Sequence, residues 1–294
     1  SSNDSDRPSS SADNASTGEL SGSAAASAVA EASGLAAWLK APDGKSTTGD
    51  VIASPAGQLS WAIFEGGRDP YVLLVTIYLF APYFARFVVG DPVAGQALWG
   101  AIASYGGLAI AVLAPFLGAI ADAGGRRKPW LAPYTIILFV ASLLMWFGKP
   151  LSTGWDLFFV GALVAIANVS FEFTAVFHNA LLPTIAPPNR VAGLSGLALA
   201  LGNGSGILLL LFMLICFALP GVVDWPFVPA HPLFGIDQAA HEPERLAGPI
   251  SALWLLIFSI PLFLFTPDRA SLNVPLGRAA VAGVKSVIST IRSL

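Results

Sequence analysis

Past residue 58 the chain alternates long apolar runs with short polar breaks. A helix needs roughly 20 apolar residues to cross the hydrocarbon core of a bilayer. Stretches of that kind run from Asp69 to Val89, Leu98 to Ala121, Trp130 to Gly148, Leu157 to Leu182, Ala192 to Leu219 and Pro249 to Thr266. Each must satisfy its own backbone in lipid, so the pattern predicts six transmembrane helices. The polar–apolar alternation of a membrane barrel is absent. The expected fold class is therefore an all-α membrane protein, a six-transmembrane-helix bundle over residues 59–268.

The flanks differ. Residues 1–58 are polar and rich in Ser and Ala, without the basic start and apolar core of a signal peptide. They read as a flexible cytoplasmic tail, with a short surface helix over Ala24 to Lys40. Residues 269–294 repeat Arg278, Lys285 and Arg292 on one helical face and Val281, Val284, Ile288 and Ile291 on another. Two readings fit this segment, an amphipathic cytoplasmic linker helix on the membrane surface and a solvated linker helix.

Composition narrows the function classes. The chain is 55% hydrophobic and 11% charged, against about 25% charged in a soluble domain. That excludes a soluble globular or disordered protein. A net charge of −3 leaves no basic surplus for a nucleic-acid partner. The single Cys216, in an apolar run, excludes an internal disulfide and a cysteine metal cluster, and reads as a small buried hydrophobe. There is no H-E-x-x-H, G-x-S-x-G or Gly-rich phosphate loop, so neither an enzyme nor a cofactor or metal site is expected.

Loop charge sets orientation. With six spans both termini share a side. That side carries Lys40, Lys45, Arg126, Arg127, Lys128, Arg190, Arg269 and the basic residues of the linker. The opposite side has Lys149 and Arg245, with Arg86 at its boundary. The termini are expected in the cytoplasm of a cell whose inner membrane holds the protein. The 220–248 loop then faces outward.

An ionisable group at membrane depth costs on the order of 2.5–3.5 kcal/mol on insertion scales, so it is paired, wet or functional. Glu172 is mid-span, and at 100° per residue Asn168, Glu172 and Asn179 fall within about 40° of one another. This polar stripe reads as facing a central cavity that holds solute or proton, or as a helix-to-helix contact. The first span opens with Glu65-Gly-Gly-Arg68-Asp69-Pro70. Glu65, Asp69, Thr76 and Tyr83 share a face of an ideal helix, and Arg68 has Glu65, Asp69 or Glu172 as partners. Broken helix starts can bind ions or substrate; an anchor at the membrane edge is the competing reading. His178 lies on another face and reads as interfacial or structural. Gly100, Ser104 and Gly107, and Gly193, Gly196, Gly202, Gly204 and Gly206, mark expected helix-packing faces.

The loop between the second and third spans is the most specific motif: Gly118-Ala-Ile-Ala-Asp122-Ala-Gly-Gly125-Arg126-Arg127-Lys128. An acid at a helix end, a glycine turn and a basic cluster suit a latch in which Asp122 pairs with an arginine across the helix interface. The spacing resembles the signature loop of the major facilitator superfamily, G-x-L-A-D-[RK]-x-G-[RK]-[RK], with Ile120 for Leu and Ala123 for a basic residue. Ser60-Trp-Ala, Phe80-Ala-Pro-Tyr-Phe-Ala85, Gly125-Arg-Arg-Lys-Pro-Trp130, His178-Asn-Ala-Leu-Leu-Pro183, Ile185-Ala-Pro-Pro188 and Ser195-Gly-Leu-Ala-Leu-Ala-Leu-Gly202 resemble its vacuole effluxer-like branch, similar to the autophagy-related amino-acid effluxers of fungi. The resemblance covers about Leu59 to Thr266.

The resemblance implies the N-terminal six-helix half of a major facilitator fold, with a second half supplied by further polypeptide or by a partner chain. It implies a secondary transporter of a small polar solute, amino acids among the candidates, coupled to a proton or ion. Glu65, Arg68, Asp69, Asn168, Glu172 and Asn179 are the expected solute or proton residues. Gly118, Asp122, Gly125, Arg126 and Arg127 form the expected gate. The alternative is a membrane scaffold or receptor that moves nothing.

Overall fold

The computed structural model describes residues 44–270 and, beyond them, Gly277, Arg278, Val281, Lys285 and Ser289. The Ala24 to Lys40 helix lies outside the described residues, as does most of the tail and of the linker. The five linker residues that are described are helical and exposed. The described chain is all-α, with no sheet; an isolated bridge pairs Lys45 with Val51.

Six helices are long and apolar enough to cross a membrane: α1 (Pro55–Val88), α2 (Pro92–Gly124), α3 (Lys128–Phe147), α4 (Gly154–Ile185), α5 (Pro188–Ala218) and α6 (Glu242–Phe265). The expected spans are all present, and several helices run past them. α1 begins fourteen residues before Asp69, at Pro55, because the charges that break its apolar run are paired inside the bundle.

Local chemistry sets the boundaries. Ser54 caps α1 by accepting from the Gly57 amide at 3.2 Å, with Pro55 at the first helical position. Asp91 caps α2 through the amides of Val93 (2.8 Å) and Ala94 (3.2 Å). Gly125, at φ +81°, ends α2 in a conformation that glycine adopts freely. α3 is capped from a distance. The Asp268 carboxylate, just beyond α6, accepts from the amides of Arg127 (2.9 Å) and Lys128 (3.0 Å).

α1 is not uniform. Val72–Tyr78 and Phe84–Val88 are wound as π-helix, with Leu79 N bonded to Leu74 O at 3.1 Å and Val89 N to Phe84 O at 3.0 Å. Such widened turns concentrate at functional sites. They also rotate the face expected of an ideal helix. Thr76 reaches a recess beside α2 and α4. Tyr83 instead donates to Gly148 O at 2.8 Å, at the end of α3.

α1 is the hub, packing on α5 and α6; α3 packs on α4 and α6, and α2 leans on α4. Trp61, Phe64, Phe80, Phe84, Phe173 and Phe177 are fully buried where these helices meet. The outer surface stays apolar: Tyr105, Leu108, Leu199, Ile257 and Leu264 are exposed. An exposed surface of this kind suits lipid rather than water.

The glycines divide. Gly202 and Gly206 take α1 at close range, against Asp69 and Leu73. Gly100, Gly107, Gly193, Gly196 and Gly204 face open space, so the packing expected of them is not made within the described residues. On α2 it is Gly106 that meets α4, at Val169. Cys216 is partly exposed rather than buried.

The segment before α1 is fastened to the end of α4. Amides of Thr47, Thr48 and Ala53 donate to Ala186 O (3.1 Å), Pro183 O (3.2 Å) and Ile185 O (3.0 Å). Carbonyls that a helix end leaves orphaned are thereby satisfied.

Candidate functional site

The site begins with a proline. Pro70 has no amide hydrogen, so the carbonyl of Gly66, four residues earlier, loses its helical donor. Two neighbouring helices replace it: Ser205 Oγ of α5 donates at 2.6 Å and Trp254 Nε1 of α6 at 3.0 Å. Gly66 and Gly67 let those helices approach. A Cβ on Gly67 would stand 2.7 Å from that of Phe258.

This anchored stretch of α1 presents Glu65, Arg68 and Asp69 to the interior. The i,i+3 spacing puts Glu65 and Arg68 on one face, and Arg68 Nη2 pairs with Glu65 Oε1. The same nitrogen lies 3.1 Å from Asp69 Oδ1. Arg68 is buried, and its Nη1 donates to Phe171 O of α4 at 3.3 Å. Its guanidinium stacks 4.2 Å from the centre of the Phe171 ring. Of the partners expected for Arg68, two are found, and Glu172 is not one of them.

His178 joins this cluster. It is wholly buried rather than interfacial, 4.4 Å from the Trp61 ring and parallel to it. Its Nε2 lies 2.8 Å from Trp61 O, and Trp61 Nε1 donates to His178 O at 2.8 Å. Its Nδ1 lies 3.1 Å from Glu65 Oε2. The spacing along α4 gives His178 its own face, and nothing local in the sequence says that α1 covers that face with a carboxylate.

The second part of the site is a recess of about 360 Å³ between α1, α2 and α4. Tyr71, Thr76, Asn168, Phe171 and Glu172 line it, with Gly106 and Gly107 on the α2 side. Tyr71 donates to Asn168 Oδ1 at 2.8 Å. Glu172 is exposed. Asn179 is also exposed but does not line the recess. It lies seven residues, or about 10 Å, further along α4, so the expected stripe is brought together at Asn168 and Glu172 alone. Phe171 belongs to both parts, lining the recess while it carries Arg68.

The loop motif forms a third cluster, at the far end of the bundle. Asp122 Oδ1 accepts from Arg127 Nη2 at 2.6 Å. This pair ties the last turn of α2 to the residue that precedes α3, because the Gly125 turn folds Arg127 back over the end of α2. Arg126 lies 3.8 Å from Asp268 Oδ2. Lys128 Nζ donates to Phe263 O at 3.0 Å. The tie to α6 is thus made by Lys128 and by Asp268, and the loop pattern does not reveal Asp268. Gly118 faces open space.

The model of the family described as Vacuole effluxer Atg22 like matches residues 101–294, about two thirds of the chain. The match begins within α2, so Glu65, Arg68 and Asp69 precede it, and it continues past Thr266 through the linker. No curated protein matches the chain. With six helices fit to cross a bilayer, the signature loop at the end of α2 and this match, the chain is a multi-pass membrane protein belonging to the vacuole effluxer Atg22-like family, an MFS-type family of transporters rather than enzymes.

Proposed function

We propose that the chain is the N-terminal six-helix half of a secondary active transporter for a small polar solute. The supporting observation is that Phe171 joins a recess lined by Glu172, Asn168 and Tyr71 to the paired charges of Glu65, Arg68 and Asp69. A recess of this size accommodates a small metabolite. Its carboxylate and amide recognise an amine or hydroxyl, which suits an amino acid or a similar polar solute.

Alternating access needs two bundles that rock about the site. A second six-helix bundle, on the same polypeptide or another, completes the carrier. Residues 59–268 act as one bundle, residues 1–58 as its tail and residues 269–294 as the linker. Loop charge supports an orientation with the termini in the cytoplasm and the loop between α5 and α6 outside, in a cell's inner membrane. Asp122, Arg126 and Arg127, tied to Asp268, then form the inner gate. Asn179, further along α4 and exposed, is the remaining polar residue assigned to the solute. The coupling species is a proton or an ion.

The test is flux in membrane vesicles from cells that make the protein, where any partner bundle is present. A pH gradient drives movement of labelled amino acids in the parent, and Glu172→Gln abolishes it while the melting temperature stays unchanged. A scaffold moves nothing in the parent and loses stability in the variant.

A further inference from the structure

The ring of His178 meets an acceptor at each nitrogen. Trp61 O can only accept, so His178 Nε2 carries a hydrogen. On the other side Nδ1 lies 3.1 Å from Glu65 Oε2. Both of these atoms are buried, and neither has another partner. Without a proton between them, two lone pairs would face each other at buried atoms.

Charge balance points the same way. The charged groups that face this contact are Arg68 and Asp69 on α1 itself. α5 and α6 supply the neutral Ser205 hydroxyl and Trp254 indole, both spent on Gly66 O. Two carboxylates and one guanidinium leave a surplus negative charge. A proton on His178 removes it.

We propose that His178 Nδ1 and Glu65 Oε2 hold one exchangeable proton, and that this is the proton that couples the carrier. It rests on Nδ1, making His178 a buried imidazolium between Trp61 O and Glu65. Release takes two steps. The Nδ1–H bond breaks as an Oε2–H bond forms, leaving a neutral imidazole that keeps its Nε2 hydrogen. Glu65 then passes the proton to water and returns to a carboxylate paired with Arg68. The direction follows from exposure: the His178 side chain has none, whereas 16% of the Glu65 side chain is accessible. As a coupling proton this rests on the transport reading above; as a shared buried proton it stands on the contact geometry.

The proton is read directly by ¹⁵N NMR of histidine-labelled full chain in lipid bilayers. The chain has three histidines, so His231→Gln with His241→Gln leaves one ring to observe. At neutral pH both nitrogens carry hydrogen, and adding Glu65→Gln converts the ring to the neutral Nε2–H form. A neutral ring in the presence of Glu65 overturns the proposal that the proton rests on His178 Nδ1. Coupling is read in the vesicles as the ratio of flux with and without a pH gradient. In His178→Asn the pH gradient no longer changes the flux. An unchanged ratio removes the coupling role. A parent without flux removes the transport reading, and the NMR result still decides where the proton sits.

Discussion

Asp69 occupies the space that a side chain on Gly202 would need. A Cβ at Gly202 would stand 3.0 Å from Asp69 Cγ and would overlap Oδ2. The bare backbone of α5 is therefore what lets an acid of α1 sit beside Arg68. Gly202→Ala displaces Asp69 and loosens its pair with Arg68, at a cost of about 1–3 kcal/mol. Gly204→Ala, where nothing lies within 4 Å, stays within about 0.5 kcal/mol of the parent. Thermal unfolding in detergent separates the two.

Arg68 is the shared partner of two acids, so its removal is costlier than the loss of one bond. Arg68→Ala leaves Asp69 without its cation and Glu65 with His178 alone, and destabilises by roughly 3–5 kcal/mol. Combining it with Glu65→Gln and Asp69→Asn restores much of that loss. The melting temperatures of the single and triple variants measure the difference.

Tyr71 holds Asn168 in the lining of the recess. Tyr71→Phe removes one hydrogen bond, worth about 0.5–1.5 kcal/mol. The fold tolerates that. Solute affinity falls by up to roughly tenfold if Asn168 swings away from its place, as measured by equilibrium binding of labelled solute.

Asp268 caps α3 from beyond α6. Asp268→Ala frees the amides of Arg127 and Lys128 and releases Arg126, at a cost of about 1–2 kcal/mol. Hydrogen exchange rises first over the initial turn of α3, while α4 remains protected.

Orientation is open to a chemical check. With Cys216 replaced by Ala, a single cysteine at Val228 reacts with an impermeant maleimide added outside intact cells. One at Gly124 reacts only after the cells are opened.

Periodicity and length made the six helices legible, since each has to be apolar along its whole span. They also placed Glu65, Arg68 and Asp69 together, because i,i+3 neighbours meet without help from the rest of the chain. Contacts between helices were not legible in the same way. Nothing in the residues around His178 says that α1 lies across it, and nothing in the signature loop points to Asp268, some 140 residues away. The π-turns of α1 defeated the ideal-helix reading of Thr76 and Tyr83: Gly66-Gly67 and Pro70 signal that the helix is distorted, but not by how much the angle per residue changes. The glycines misled for a related reason. A small residue permits close approach, but whether a neighbour arrives depends on how α2 and α5 are placed against the others.

The start of α1 and the segment after α6 are stitched together. Thr266 Oγ1 donates to Gly57 O at 2.8 Å, and Arg269 lies 3.3 Å from Asp50. Residues far apart in sequence thus finish as neighbours on one rim. A short bridge from Ala270 back to Lys45, with the backbone opened near Phe227 in the outer loop, would give a circularly permuted protein whose helices keep their neighbours while both new ends emerge on the opposite face.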